Sequence, residues 1–274
     1  MGITVTRVPV NPQGCVDPAD IRRSLTPRTT LVAITHASNV TGAIQPIDAV
    51  IELARRHGAL CLIDAAQTAG HVPINVSNSE IDLLACSGHK GLLGPLGTGL
   101  LFVRAEVMGR VWSFRQGGTG SRSESDAQPD SGPDKYESGN HNAPGLVGLE
   151  AGLSWIEGQG GVPALRRHEQ ELVQLLLNGL AQWPSVTLYG PAEPVARTGV
   201  VSLNVAGLDP QDAAAILDES FGIETRAGLH CAPGAHAALG TLSSGGTLRL
   251  SPGPFTTREQ IAAAVAAIGE VAGY

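Results

Sequence analysis

The chain has 274 residues, of which 42% are hydrophobic and 16% are charged, and its formal net charge is −7. This composition is typical of a soluble globular protein that can bury a core, and it argues against a disordered chain. The acidic balance excludes nucleic acid and anionic membranes as expected partners, because either would need a basic face.

The four cysteines lie far apart and form no C-x-x-C pair; they are Cys15, Cys61, Cys86 and Cys231. No apolar run approaches the roughly 20 residues of a membrane helix, and no signal core or Arg-rich leader is visible at the start. We therefore expect free thiols in a reducing compartment, which predicts a cytoplasmic protein. Cys61 and Cys86 stand in apolar runs and are expected to be small buried hydrophobes.

The first 150 residues alternate strand-like and helix-like segments. Short apolar runs cover residues 29–38, 59–67, 81–90 and 97–103, and residues 46–58 have helical spacing that ends at Gly58. Apolar runs of this length, separated by helices or glycine turns, are typical of strands buried on both faces of a mostly parallel sheet. The sequence thus predicts an α/β domain.

The pattern changes twice further along the chain. Residues 113–145 are rich in Gly, Ser, Asp and Pro, which fits either a plain surface loop or a functional one. A helical stretch over residues 146–183 has one Gly/Pro interruption, and strand-like runs ("VTLYGP", "TGVVSLNV", "TLRLSPG") then alternate with two helical runs. We predict a large domain over residues 1–154 and a small α+β domain over residues 155–274 that includes the bridging helix.

Polar residues follow three of the predicted strands, in the segments "THASNVTG", "DAAQ" and "SGHK". Ligands of open α/β sheets bind at the carboxyl ends of the strands. If the strands are neighbours, one crevice would receive Asn39, Asp64, Gln67, Ser87, His89 and Lys90. Each residue also has a purely structural explanation, such as a helix cap for Asp64, a turn for Ser87 or a solvated side chain for Lys90.

Lys90 is one of only two lysines, the other being Lys135, although 18 residues are Lys or Arg. A lysine amine can lose its proton and act as a nucleophile, whereas a guanidinium stays protonated. Pyridoxal phosphate (PLP) needs such an amine for its aldehyde, a carboxylate that keeps its pyridine nitrogen protonated, and hydroxyl, imidazole and backbone N–H groups for its phosphate. The lysine, aspartate, serine and histidine of this crevice therefore predict PLP as the cofactor. A plain nucleotide-binding protein is disfavoured, because no G-x-G-x-x-G follows a strand.

The segments "LCLIDAAQTAGHVPINV" and "DLLACSGHKGLLGPLGTGLLFV" resemble fold-type I, class V aminotransferase-like enzymes, in particular group II cysteine desulfurases and selenocysteine lyases. The resemblance spans nearly all of the chain and implies a fold-type I PLP-dependent transferase with a mostly parallel sheet and a small α+β C-terminal domain. It implies that Lys90 is the Schiff-base lysine and that Asp64 is the partner of the pyridine nitrogen. Gln67 would donate to the phenolic oxygen, and Ser87 and His89 would bind the phosphate. Asn39 would lie near the ring and the substrate.

The resemblance also implies a homodimer with a shared active site. Gly118 and Thr119 of "GGTGS" would reach the phosphate of the other subunit. In "GIETRAGLHCAPGAH", Cys231 would take sulfur from the substrate as a persulfide, and in "GTLRLSPGPFTT", Arg249 would bind the substrate α-carboxylate. The structural alternatives are an inert loop thiol for Cys231 and a surface arginine on an edge strand for Arg249.

The function implied is removal of sulfur from L-cysteine, or of selenium from selenocysteine, through a lysine aldimine and a cysteine persulfide that a sulfur-acceptor protein could receive. The alternatives are a C–S lyase, aminotransferase or epimerase of the same family, or a non-catalytic truncated or partner subunit. Family members are longer at the N-terminus, where a phosphate-binding turn and a ring-stacking side chain lie. Three interpretations stay open: the true start lies upstream, the missing part is a separate chain, or the short form has lost or changed its activity. Without those N-terminal elements, cofactor affinity should fall and an apolar face of the sheet should be uncovered.

Overall fold

The computed structural model of the protein describes residues 2–118, 122 and 124–273. Its strands form two four-stranded sheets. The strands are β1 (Leu31–Thr35), β2 (Leu60–Asp64), β3 (Leu83–Ser87), β4 (Gly99–Val103), β5 (Val186–Tyr189), β6 (Val201–Val205), β7 (Arg226–Gly228) and β8 (Thr247–Leu250). The α-helices are α1 (Pro18–Ser24), α2 (Ile47–His57), α3 (Ala143–Gly158), α4 (Gly161–Leu180), α5 (Pro210–Phe221), α6 (Pro233–Leu239) and α7 (Arg258–Val271).

The first sheet has the strand order β1-β2-β3-β4. The pairs β1–β2 and β2–β3 are parallel, and β3–β4 is antiparallel. In this register Thr35 lies opposite Asp64, and Asp64 lies opposite Ala85. The carboxyl ends of β1, β2 and β3 therefore meet at one edge of the sheet, which confirms that the three strands are neighbours.

Helices α1 and α2 cover one face of this sheet. Val50, Ile51 and Ala54 of α2 are buried against Cys61 and Ile63 of β2. The α2 helix ends as the sequence predicts, at Gly58, which has φ of 78° and whose N–H bonds the carbonyl of Ala54. A left-handed residue at this position favours glycine, so the helix stops here and the chain turns into β2.

The opposite face of the first sheet is partly open. Leu31 of β1 is 46% exposed and Leu101 of β4 is 54% exposed. The prediction that these strands are buried on both faces is therefore wrong for β1 and β4, because no described element packs over their outer ends. The expected uncovered apolar face is confirmed.

The second sheet has the order β5-β6-β8-β7 and every pair in it is antiparallel. Helices α4, α5 and α7 pack on it and form a core with Leu172, Leu176, Leu203, Leu217 and Leu248. Strand β7 was not predicted from the sequence, because its three residues contain no apolar run.

Helices α3 and α4 form the predicted bridging stretch. They are separated at Gln159 and Gly160, and Gly160 has φ of 91°. The proposed domain boundary between residues 154 and 155 falls inside α3, and the division into two domains stays a prediction. No described helix is both long enough and apolar enough to cross a lipid bilayer.

Buried Arg197 joins the loops between the two sheets. Its backbone pairs with Ala43, and its guanidinium donates to the carbonyl oxygens of Tyr189, Pro191 and Val200. Burial lowers the pKa of Arg197 to about 10. Three carbonyl acceptors on one side chain fix this junction close to the end of β1.

Candidate active site

A tight turn follows β1 and carries Asn39. The hydroxyl of Ser38 accepts hydrogen bonds from the backbone N–H groups of Val40 and Thr41, both at 3.1 Å. A serine that bonds the backbone two and three residues ahead stabilises such a turn. The half-buried Asn39 is thereby held at the carboxyl end of the strand.

The segment after β2 carries Asp64 and Gln67. Oδ1 of Asp64 accepts a hydrogen bond from the N–H of Ala66 at 2.9 Å, and the side chain of Asp64 is exposed at the strand end. Gln67 is half-buried in the following turn. Asp64 thus starts the turn and also presents its carboxylate at the sheet edge.

The lysine loop, which we define as residues 87–94, begins at Ser87, the last residue of β3. The N–H of Gly88 bonds the carbonyl of Thr98, the N–H of Leu93 bonds the carbonyl of Lys90, and the N–H of Gly94 bonds the carbonyl of Gly88. A side chain at Gly88 would collide with Thr98. The loop therefore closes on itself, with His89 and Lys90 exposed.

We call residues 64–70 the aspartate turn. Two glycines bring this turn and the lysine loop into direct contact. A Cβ at Gly70 would collide with the carbonyl of Gly91, and a Cβ at Gly91 would collide with the carbonyl of Ala69. Gly70 also has φ of 84°, in the left-handed region. Only residues without a side chain permit this approach, so the chain positions the segments of Asp64 and Lys90 side by side.

Helix α3 supports the lysine loop from behind. A Cβ at Gly94 would come within 2.7 Å of Leu149, and a Cβ at Gly152 would come within 2.6 Å of the carbonyl of Leu92. Leu92 and Leu149 are buried. The lysine loop thus packs against α3, and Lys90 is exposed.

The polar side chains at this edge suit PLP by their chemistry. The side chains of Gln67, Ser87, His89 and Lys90 make no hydrogen bond or ion pair to any protein group among the described residues, so their donors are available to a ligand. An amine, a carboxylate, an amide, a hydroxyl and an imidazole are the groups that the aldehyde, the pyridine nitrogen and the phosphate of PLP require. The residues present therefore fit this cofactor.

Cys231 lies in a loop just after β7 and is exposed. Nη2 of Arg226, at the start of β7, donates to Sγ of Cys231 at 3.4 Å. The sulfur is thus exposed beside a cationic donor, the kind of surroundings in which catalytic cysteines are found. The sequence did not lead us to assign Arg226, whose position five residues before the cysteine was the available signal.

Asn39 connects the two sheets at the site. Its side-chain Nδ2 donates to the carbonyl of His230 at 2.6 Å, and its own carbonyl accepts from Nη1 of Arg249 at 3.0 Å. Arg249 and the segment of Cys231 are thus brought to Asn39 at the end of β1, although both lie about 200 positions from Asn39 in the chain. Burial, followed by repulsion from Arg226, lowers the pKa of Arg249.

The other three cysteines lie in less reactive surroundings. Burial raises the pKa of Cys61 to about 12, and burial also raises the pKa of Cys15 and Cys86. Cys61 is buried as expected, whereas Cys86 is only half-buried, because it lies near the open end of the sheet. Of the four thiols, Cys231 is the exposed one.

The loop over residues 113–145, which is rich in Gly, Ser, Asp and Pro, is described only in part. The carbonyl of Gly118 accepts from the N–H of Gly139 at 3.0 Å, and Gly118 has φ of 59°. Thr119 lies outside the described residues. The role of both residues at the partner subunit stays a prediction. Within the described part of the chain, no group of three His, Cys, Asp or Glu side chains is arranged to hold a metal ion.

The two-sheet α/β fold, with a lysine loop and an aspartate turn side by side at the strand ends, is that of a PLP-dependent enzyme of fold type I. The aminotransferase class-V family profile matches residues 1–263, and the chain belongs to this family. Members of the family are PLP-dependent.

Relatives with known names agree with this assignment. A probable cysteine desulfurase of Methanothermobacter thermautotrophicus is 34% identical over 99% of this chain and 68% of its own length. A cysteine desulfurase of Pectobacterium atrosepticum is 35% identical over 98% of this chain and 65% of its own length. The apo structure of cysteine desulfurase from Thermococcus onnurineus superposes with a TM-score of 0.90 at 34% identity, covering 100% of this chain and 67% of that one. The chain thus spans about two thirds of the length of these proteins.

Proposed function

We propose that the protein is a PLP-dependent cysteine desulfurase that removes sulfur from L-cysteine. The observation that carries the proposal is the contact of the aspartate turn with the lysine loop through Gly70 and Gly91. This contact supports the proposal because it holds a carboxylate and an exposed amine at one sheet edge. At the neighbouring end of β1, Asn39 bonds the carbonyl of His230, the residue before Cys231.

Each residue has a definite task in this proposal. Lys90 would bind the cofactor aldehyde and then move the proton of the substrate α-carbon, while Asp64 holds a proton on the pyridine nitrogen. Gln67 would donate to the phenolic oxygen, and Ser87 and His89 would bind the phosphate. When bound, PLP supplies an electron sink for negative charge at the α-carbon.

The substrate would be held and attacked from the second sheet. Arg249 would bind the α-carboxylate through a bidentate pair. The thiolate of Cys231 would form a bond to the substrate sulfur as the carbon–sulfur bond breaks. Cysteine and the enzyme thiol then give alanine and a persulfide, and this exchange balances without an external oxidant.

Reductive trapping tests the role of Lys90. The purified chain is mixed with PLP, reduced with borohydride and mapped by peptide mass spectrometry, and we expect the modification at Lys90. The matched control is Lys135, the only other lysine, whose Nζ is committed to the carbonyl of Met108 at 2.8 Å. Lys90→Ala should abolish the yellow colour of the PLP-loaded protein and Lys135→Arg should retain it. Modification at Lys135 in place of Lys90 would overturn the assignment.

A second experiment separates the desulfurase from other reactions of the family. Cys231→Ala is given L-cysteine and a reductant, and sulfide is measured. The persulfide mechanism requires sulfide release to fall by orders of magnitude. Undiminished release would instead support a C–S lyase that uses the same cofactor residues without Cys231.

A second candidate function is suggested by the open face of the first sheet. Leu31 and Leu101 are half exposed, the outer edges of β1 and β4 are unpaired within the described residues, and the chain spans about two thirds of its relatives. Under this candidate the chain is one part of a composite site that a further polypeptide completes. A folded chain that stays colourless with PLP, and becomes yellow when a polypeptide equivalent to the unmatched third of a relative is added, would favour it.

The finer features rest on the resemblance alone. They are a homodimer in which Gly118 and Thr119 serve the other subunit and an acceptor protein that receives the persulfide sulfur. Sedimentation analysis of the PLP-loaded protein tests the dimer, and a monomer that binds PLP fully would contradict the shared site.

A further inference from the structure

The loop that carries Cys231 contains two successive residues in an unusual backbone conformation. His230 has φ of 49° and Cys231 has φ of 60°, and neither is glycine. The left-handed region is unfavourable for an L-residue, because Cβ approaches the following carbonyl oxygen. Two such residues in succession persist only where surrounding contacts compensate for the strain.

His230 supplies those contacts from a buried position. Its side chain is 2% exposed, and its Nε2 lies 3.0 Å from the carbonyl oxygen of Thr247 in β8. Nε2 also lies 3.0 Å from the hydroxyl of Thr247, and a hydrogen on Nε2 would satisfy the carbonyl oxygen, which only accepts. The backbone carbonyl of His230 accepts from Asn39, so the residue is attached to the second sheet by its ring and to the first sheet by its backbone.

The back of the imidazole is closed by a second histidine. The ring centroids of His230 and His236 are 5.6 Å apart, and His236 is fully buried, with Nδ1 2.7 Å from the hydroxyl of Thr241. Nδ1 of His230 is buried without a hydrogen-bond partner in the described part of the chain. The ring is therefore bonded to β8 through Nε2 and packed against His236, and these contacts hold the loop.

We propose that His230 is a positioning residue for Cys231, which it holds in the left-handed conformation with Sγ beside the guanidinium of Arg226. The inference rests on the proposed function only in that Cys231 is the nucleophile. His230 itself is buried, so it acts through Cys231 and not on the substrate directly. Its effect is transmitted through the backbone to the sulfur–guanidinium contact of 3.4 Å.

The test measures the alkylation rate of Cys231 by iodoacetamide in the full chain without PLP or cysteine, quantified by peptide mass spectrometry. In His230→Ala the rate should fall about fivefold or more, because the sulfur is already exposed and would lose its contact with the guanidinium of Arg226. His230→Gln should restore most of the rate, since its amide can donate from the position of Nε2. His168→Ala is the matched control, because the ring of His168 also bonds a backbone carbonyl, that of Thr256, away from Cys231.

A double-mutant cycle distinguishes positioning from general destabilisation. Arg226→Gln should slow alkylation about as much as His230→Ala, and the double variant should be no slower than either single one. Alkylation of the buried Cys61 reports unfolding in the same digest and should stay slow. If His230→Ala unfolds, the comparison of His230→Gln with His230→Asn takes its place. The shorter amide of asparagine cannot reach Thr247.

Several results would overturn the inference. These are a wild-type alkylation rate in His230→Ala, equal rates in the Gln and Asn variants, or additive effects of the two single changes. The readout does not depend on turnover. A failure of the proposed desulfurase reaction would appear in the sulfide assay of Cys231→Ala and would leave the alkylation result standing.

Discussion

Nδ1 of His71 lies 2.6 Å from Oε2 of Glu169, which joins the turn after β2 to helix α4 across 98 positions of sequence. The other carboxylate oxygen of Glu169 accepts from Arg166 at 2.7 Å, and Arg166 also donates to the carbonyls of Pro194 and Val195. Glu169 and Arg166 are both buried. This buried network attaches the segment that carries Asp64 and Gln67 to the helix that supports the second sheet.

Removal of the buried carboxylate should destabilise the protein strongly. We expect Glu169→Ala to lower the free energy of unfolding by about 3 kcal/mol, because it leaves the buried charge of Arg166 without its partner. Glu171→Ala is the control, since Glu171 pairs with Arg258 at the exposed surface and should cost less than about 1 kcal/mol. Urea denaturation of both variants measures the difference, and equal losses would show that the network contributes no more than a surface pair.

The contact between the aspartate turn and the lysine loop should tolerate no side chain. Gly70→Ala would place a methyl group against the carbonyl of Gly91, so we expect a loss of PLP binding and a stability loss of about 3 kcal/mol. Gly58→Ala is the matched control, because Gly58 has nearly the same positive φ but nothing within 4 Å of the added Cβ. It should cost about 1 kcal/mol and leave PLP binding intact. Similar PLP affinity in both variants would contradict the role of the glycine contact.

The four thiols should differ widely in reactivity. We expect iodoacetamide at neutral pH to modify Cys231 first, because it is exposed beside Arg226, and Cys61 last, because burial raises its pKa to about 12. In urea the four rates should converge, which controls for local sequence effects. Fastest modification of Cys15 or Cys86 would place the reactive thiol elsewhere.

The protonation of His230 should weaken the folded state in mild acid. Burial, repulsion from Arg249 and from His236, and then Arg226 lower its pKa to about 4, against 6.5 for an ordinary histidine. Between these values the unfolded chain binds a proton that the folded chain does not. The stability contributed by the neutral ring is therefore complete above about pH 6.5 and is lost as the pH falls towards 4 and through it.

His230→Gln isolates this effect. The pKa values of His36 and His236 are also lowered by burial, so the wild-type slope with pH has several sources. The stability difference between the wild type and His230→Gln should shrink by about 2 kcal/mol between pH 7 and pH 5. Urea denaturation at both pH values measures it, and a difference that does not change with pH would contradict the buried neutral ring.

Local patterns were sufficient for most of the fold, and they also supplied the candidate site residues, whose roles stay predictions. The apolar runs became β1 to β4, the helical spacing before Gly58 became α2, and the single interruption of the bridging stretch became the break between α3 and α4. The lysine of "SGHK" and the aspartate of "DAAQ" were recognisable as candidates because PLP chemistry requires an amine and a carboxylate.

Only the tertiary structure decided which of these residues meet. The approach of Gly70 to Gly91, the bridge from Asn39 to His230 and Arg249, and the left-handed backbone at Cys231 each depend on contacts between segments distant in sequence. Periodicity reports which side of an element is apolar, but it carries no information about what packs there. For the same reason the sequence predicted strands buried on both faces, whereas the packing leaves β1 and β4 partly open.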